Sequence, residues 1–561
     1  MFDFRLGTSS LIIASICNMA SILQPTTVAM AFSTTQQSTT SALLPKLRGQ
    51  QDHRRIIGAA GELHFRSSAS SKVSLNMMNV LNIPRGGGVV AAAAAETTAA
   101  SITAKLTNTP SALFNSSLAG LALLTVLLKI AGSISKKTDS SVTDEESKKP
   151  ESVKKLQVRF LAVFWLLRCA DWLQGPYFYE VYASKIFNGA QASMSLVSRL
   201  FLTGFASTAI FGPLVGRTAD TYGRKKGTLA FTVMYALGAM STKSPILAVL
   251  LVGRILSGIG TSLLFSAPES WLVGESQKSG DDPDGKYLGE TFGLAYAGDS
   301  IVAILAGQFA MAAAGRRGPT GPFELSTGFL AAGGLLAALL WKENKAEGSG
   351  GDAKQSSIGD AIKVVKADKK IMLAGAVQSL FEAAMYIFVL QWPPAITAAI
   401  AKTYGAGQAT PYGAVFSCFM ASCLCGSTIF GKLAKSLIPL ETSTSIMLLI
   451  ASIAMSIATF TVSSTMNLAS LMASFFVFEA CVGMYFPSIG TLRSKYVPDS
   501  HRSIIMNLFG IPLNILVVGV FLSIKQLGLK GALGISSASL SLAAICMMKL
   551  RSTVNKSDNK V

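Results

Sequence analysis

Twelve apolar runs between residues 160 and 548 constrain this chain more than any other feature. Each is close to the roughly 20 residues with which an α-helix crosses ~30 Å of hydrocarbon. The runs lie near 160–182, 197–215, 227–242, 246–273, 287–314 and 325–341, then, after a polar loop over 342–370, near 371–400, 412–431, 442–462, 468–492, 503–524 and 531–548. Half of the 561 residues are hydrophobic and 14% are charged, and mean hydropathy is +0.46. That balance excludes an ordinary soluble domain. The chain reads as an all-α polytopic membrane protein.

The second and third runs are joined by Gly216-Arg217-Thr218-Ala219-Asp220-Thr221-Tyr222-Gly223-Arg224-Lys225-Lys226. Gly216 and Gly223 permit a tight turn, Asp220 suits the positive end of a helix dipole, and the four basic residues mark a cytoplasmic side. A loop that only set topology would not need this glycine and aspartate spacing. The pattern resembles the signature loop of the major facilitator superfamily. That resemblance implies two six-helix halves around a central pathway, with Gly216, Asp220, Gly223 and Arg224 as a gating loop in which Asp220 and Arg224 latch the halves. Lys342, Lys345, Lys354, Lys363, Lys366, Lys369 and Lys370 of the central loop fall on the same side, as does the basic tail over 549–561. Arg316 and Arg317 are the main exceptions. A weak repeat pairs Ser207-Thr208-Ala209-Ile210-Phe211-Gly212 with Ser427-Thr428-Ile429-Phe430-Gly431, but Lys432-Leu433-Ala434-Lys435 lacks the aspartate and the Gly-Arg-Lys pattern.

Residues 1–31 have the make-up of a signal peptide, and 32–115, rich in Ser and Thr and poor in acids, read as a disordered or transit segment. Together they resemble the bipartite presequence of algae with secondary plastids. Residues 116–134 form one extra transmembrane helix and 135–159 a cytoplasmic linker.

Ionisable side chains are costly near the bilayer centre, so each one inside a run marks a candidate site. Asp171 sits midway along the first run, one turn before Gln174, and Glu382 midway along the seventh. As repeat equivalents, the two carboxylates are expected to face the central cavity. Arg254 in the fourth run and Glu479 in the tenth form a crosswise set, with Glu269 nearer an end of the fourth and Asp299, more weakly placed, in the fifth. On a functional reading Arg254 attracts an anionic substrate while carboxylates carry protons through alternating access. On a structural reading Arg254 pairs with Asp171 or Glu269; Arg168, three residues before Asp171 on the same helix face, is an equal candidate partner. Both readings stay open at this stage.

The stretches Asp171-Trp172-Leu173-Gln174-Gly175-Pro176-Tyr177, Leu263-Leu264-Phe265-Ser266-Ala267-Pro268-Glu269-Ser270-Trp271, Leu380-Phe381-Glu382 and Tyr485-Phe486-Pro487-Ser488 narrow the resemblance. Over 160–548 the chain is similar to the molybdate-anion transporter branch of the superfamily. The resemblance implies uptake of molybdate, a tetrahedral divalent oxyanion, at the cell membrane, and an extra N-terminal helix; the N-terminal extension points instead to a plastid envelope. A facilitator for another anion or small solute, and a non-transporting receptor or scaffold, are the alternatives. The seven cysteines lie in apolar stretches at no zinc-ligand spacing and the three histidines are scattered, so neither metal nor cofactor is expected. No nucleophile and base constellation suggests an enzyme. The charge of +19 resides in loops and the N-terminal segment rather than in a patch suited to nucleic acid. The expected partners are the lipid bilayer and the transported anion; oligomeric state is open.

Overall fold

The structure, a computed structural model, describes residues 108–134, 149–279, 286–345, 358–434, 436–498 and 502–558. The signal peptide and most of the 32–115 segment lie outside the described residues. The first helix described, α1 (Pro110–Ile134), starts on a proline, whose missing N–H is no loss at that position. Thr109 caps it, Oγ1 accepting from the Ala112 amide at 3.2 Å.

The first half comprises α2 (Glu151–Gln174), α3 (Phe178–Ala183), a hairpin of β1 (Ile186–Phe187) and β2 (Ala190–Gln191), α4 (Met194–Tyr222), α5 (Arg224–Ser241), α6 (Leu247–Leu264), α7 (Ala267–Ser279), α8 (Lys286–Arg317) and α9 (Gly321–Leu340). The second comprises α10 (Ile358–Ala367), α11 (Lys369–Tyr404), α12 (Tyr412–Leu433), α13 (Leu440–Ser463), α14 (Leu468–Tyr496), α15 (Arg502–Leu522) and α16 (Ile524–Asp558), the last kinked at Gly528. Among the described residues nine segments, α1 included, are long and apolar enough to span, and one of them, Tyr287–Leu340, holds both α8 and α9. Leaving α1 aside, these together with α2, α5 and α15 make two sets of six.

Four boundaries differ from the sequence expectation, each for a local reason. The first run starts at Glu151 and stops at Gln174, where Gly175 and Pro176 interrupt the helix. The second continues through Gly216 to Tyr222 and ends at Gly223, whose φ of 136° leaves the helical region. The 246–273 run is two helices, divided at Phe265 and Ser266, with Pro268 in the first turn of α7. The central loop contains α10. The hairpin was not foreseen, although Asn188-Gly189, both at positive φ, is a strong two-residue hairpin signal.

The halves repeat their neighbour relations. α2 lies against α8 and α9, as α11 lies against α15 and α16; α4 and α5 flank α6, as α12 and α13 flank α14. Helices therefore alternate between a basic end, with Arg224 and the central loop, and a far end with the hairpin. Aromatic side chains fill the second half: Phe388 meets Phe475 and Phe478 edge-on at 4.9 and 5.0 Å. In the first half Trp271 and Trp341 stack at 4.0 Å at the basic end.

Helices α12 and α14 cross where glycine admits the partner's backbone: a methyl at Gly426 would strike the Ala480 carbonyl, and one at Gly483 the Cys423 carbonyl. Gly426→Ala is expected to destabilise the protein by ~1–3 kcal/mol. Gly431→Ala, where no heavy atom lies within 4 Å of the added methyl, should leave the melting temperature in detergent unchanged or slightly higher.

Candidate functional site

The 168, 171, 172 spacing sets Arg168, Asp171 and Trp172 on one face of α2, turned toward α5 and α8. Arg168 is buried and grips Asp299 of α8 bidentately, Nε to Oδ1 at 3.0 Å and Nη2 to Oδ2 at 2.9 Å. Its Nη1 also donates to Asp171 Oδ2 at 3.4 Å. Trp172 Nε1 donates to Asp299 Oδ1 at 2.8 Å, and the Tyr235 hydroxyl of α5 to Asp171 Oδ1. The guanidinium carbon lies 4.9 Å from the Trp172 ring centre and 5.2 Å from that of Phe265. One cation thus serves two carboxylates.

Arg168, then, is the partner of Asp171, and Arg254 is not. Arg254 of α6 donates from Nε to the Leu200 carbonyl of α4 at 3.3 Å and rests 4.6 Å from the Phe178 ring centre. Gly204 leaves it room, since a methyl there would collide with the guanidinium. Glu269, in the first turn of α7, accepts from the Tyr296 hydroxyl. Among the described residues Arg254 forms no ion pair with any carboxylate.

Gln174 is directed away from these groups: its Nε2 donates to Ser326 Oγ of α9 at 2.9 Å, and Ser326 in turn donates to the Ala170 carbonyl. In the second half the Tyr485 hydroxyl donates to Glu382 Oε1 at 3.1 Å, and Tyr485 stacks on Phe381 at 3.9 Å. Arg493 of α14 acts electrostatically on Glu382. Glu479 is buried beside Cys423 at the α12 and α14 crossing and is not brought to Arg254. The sequence reading missed Tyr235 and Arg493. Tyr235 carries no charge to flag it, and Arg493 lies just past the expected end of its run.

At the signature stretch the turn shrinks to Gly223, at φ 136° and ψ 134°, where an L side chain would be strained. Gly216 is inside α4 rather than in a turn. Asp220 is in the last turn of α4, not at a helix N-terminus, and its Oδ1 accepts from Arg224 Nε at 2.9 Å. The N-terminus of α5 is capped instead by Glu343, which accepts from the amides of Lys225 and Lys226 at 2.9 and 3.1 Å. Asn344 accepts from the Arg224 amide, and Trp271 Nε1 donates to the Lys342 carbonyl. Among the described residues no hydrogen bond or ion pair joins Asp220 or Arg224 to the second half.

The bonds and ring contacts that do join the halves, among the described residues, run from the far end to mid-membrane. The Tyr412 hydroxyl donates to Glu180 at 3.0 Å, Gln308 Nε2 donates to Ser417 Oγ at 3.1 Å, and Ser417 donates to the Ile304 carbonyl at 2.8 Å. Phe201 meets Phe521 at 5.2 Å, and Phe205 meets Tyr386 at 4.9 Å. The far end is closed.

Residues 113–484 match the major facilitator family described as sugar transporters, 12 TM. The chain is similar to the molybdate-anion transporter of Xenopus tropicalis, 28% identical over 443 residues that cover 77% of this chain and 93% of the relative. It is 30% identical to that of Takifugu rubripes over 389 residues, 65% of this chain and 78% of the relative. Among solved structures, a nucleoside transporter superposes with TM-score 0.56 at 13% identity, covering 71% of this chain and 99% of that one. A D-xylose-proton symporter superposes with TM-score 0.55 at 13% identity, covering 70% and 97%. These structures establish the fold, and the family match and the curated relatives make the chain a multi-pass membrane transporter.

Removing Arg168 strands two carboxylates, and breaking a buried pair in this way costs ~3–5 kcal/mol. Arg168→Leu is expected to abolish recovery of monodisperse protein, read by size-exclusion chromatography. The double variant Arg168→Leu with Asp299→Leu should recover part of it.

Proposed function

We propose that this chain, which belongs to the molybdate-anion transporter family of the major facilitator superfamily, takes up molybdate by alternating access. The observation that carries the reading is Arg254, a half-buried cation on a spanning helix with no carboxylate partner among the described residues. Arginine in that setting is costly unless something offsets its charge. An oxyanion whose oxygens all accept hydrogen bonds suits the planar guanidinium fork, whereas a neutral sugar offers no charge to balance. Arg254 therefore favours an anion over the sugars of the family description.

With the far end closed, the cargo enters after the Glu180–Tyr412, Phe201–Phe521 and Phe205–Tyr386 contacts part. Arg254 lies beside Phe178, which itself packs on Phe201 at 5.5 Å, so opening exposes it to the entering anion. Moving a dianion inward against an inside-negative potential costs about 2.3 kcal/mol per charge per 100 mV. Two co-transported protons would cancel that cost. Asp171, Glu382, Glu269 and Glu479 are the carboxylates we nominate to carry them, the first three accepting from the hydroxyls of Tyr235, Tyr485 and Tyr296.

Family resemblance favours the cell membrane, and the presequence-like residues 1–115 favour a plastid envelope. Imaging a C-terminally tagged full-length chain separates the two.

Purified protein in liposomes should accumulate isotopic molybdate, faster with acid outside, with tungstate competing and xylose not. Loss of charge-assisted hydrogen bonds should make Arg254→Gln about ten- to a hundredfold slower, with Arg254→Lys in between. Wild-type rates in correctly inserted Arg254→Gln would remove Arg254 from the pathway. Absence of molybdate flux in the wild-type protein alongside flux of sulfate would reassign the cargo.

A further inference from the structure

Two clefts on the outer surface of the first half meet at Phe309 of α8. The lower one, about 290 Å³, is lined by Trp165, Leu166, Val302, Leu305, Phe309 and Phe329 among others, and its lining is apolar. The upper one, about 470 Å³, runs from Phe309 past Ala312 to Arg316, Arg317 and Glu324 at the far end. Phe309 and Phe329 stack at 6.5 Å where the clefts join. From Val302 to Arg316 the helix rises ~21 Å, comparable to one leaflet's ~15 Å of hydrocarbon plus its headgroup layer.

The charge at the mouth is unbalanced. Glu324 is shared by Arg317 and by Lys243, whose Nζ approaches at 3.1 Å. Arg316 is exposed and forms no ion pair with an acid among the described residues. Three cations against one carboxylate leave two positive charges above a dry groove. These arginines are also the pair that departs from the basic-side bias of the other loops, and a topogenic role does not explain them.

We propose that this surface binds one anionic diacyl phospholipid, with its phosphate between Arg316 and Arg317 and an acyl chain along the groove past Phe309. A zwitterionic lipid can fill the same groove, but its own cation offsets the charge match, so preference for net negative headgroups is the signature. The site is separate from Arg254 and does not depend on the cargo assignment. Its groove lies on α8, the helix whose Ile304 and Gln308 hold α12 at the closed end.

Native mass spectrometry of the full chain, released from nanodiscs of phosphatidylcholine mixed with phosphatidylglycerol, tests this. The wild-type protein should retain one phosphatidylglycerol in preference to phosphatidylcholine. Each arginine near a membrane surface contributes about fivefold to anionic-lipid affinity, so Arg316→Gln should weaken retention about fivefold, and Arg316→Gln with Arg317→Gln about 25-fold. Ala312→Trp, which keeps both arginines but fills the cleft, should also lose the lipid while eluting as folded protein. Equal retention of both lipids by the wild-type protein, or undiminished phosphatidylglycerol in the arginine variants or in Ala312→Trp, would overturn the site.

Discussion

The pairing of Arg168 with Asp299 and Asp171 decides how every other charge in the first half is read. A guanidinium in an apolar interior needs anionic acceptors in good geometry, and the bidentate grip on Asp299 supplies it. With Asp171 also held by Tyr235, and Glu269 accepting from Tyr296, the acidic groups near α6 already have partners. Arg254 is left with the Leu200 carbonyl, the Tyr182 hydroxyl and an aromatic face. Those interactions are weaker than an ion pair, and this asymmetry is the basis for proposing an anionic cargo at Arg254.

The two halves share neighbour relations but brace their basic ends differently. In the first half the chain leaving α9 folds back, so that Glu343 caps α5 and Asn344 donates to the Trp271 carbonyl at 2.9 Å, under the stacked Trp271 and Trp341. In the second half the turn after α12 has no aspartate or Gly-Arg-Lys sequence. There Glu441 at the start of α13 accepts from Lys495 at 2.6 Å and from the Tyr496 hydroxyl. The signature stretch is thus one end of a clamp internal to its own half, and its glycine is needed at a single residue, Gly223.

Helix number and order were legible because apolar run length is imposed by the bilayer and dominates the sequence. Helix ends were less legible. α4 and α2 continue past the hydrocarbon layer, where hydropathy falls but the helix does not end, and the division of the 246–273 run falls inside an apolar stretch. At the candidate site the charged residues could be named in advance and their pairing could not. Arg168 and Arg254 both had plausible claims on Asp171, and the choice rests on Asp299, 131 residues from Arg168. Likewise Asp220 was a reasonable local cap for α5, but Glu343, 118 residues from Lys225, took that place.

Helix α8 brings these features together. Within about five turns it presents Asp299 to Arg168, then Ile304 and Gln308 to Ser417 of the second half, while Phe309 and Arg316 face outward into the lipid-facing groove. Packed helices shift as rigid rods more readily than they deform. A change of partner at Asp299, such as a proton taken up by Asp171 that frees Arg168 to bind Asp299 alone, would therefore bear directly on the seam between α8 and α12. Asp299 and Gln308 lie on one continuous helix, so no loop intervenes between the Arg168 pairing and the seam with α12.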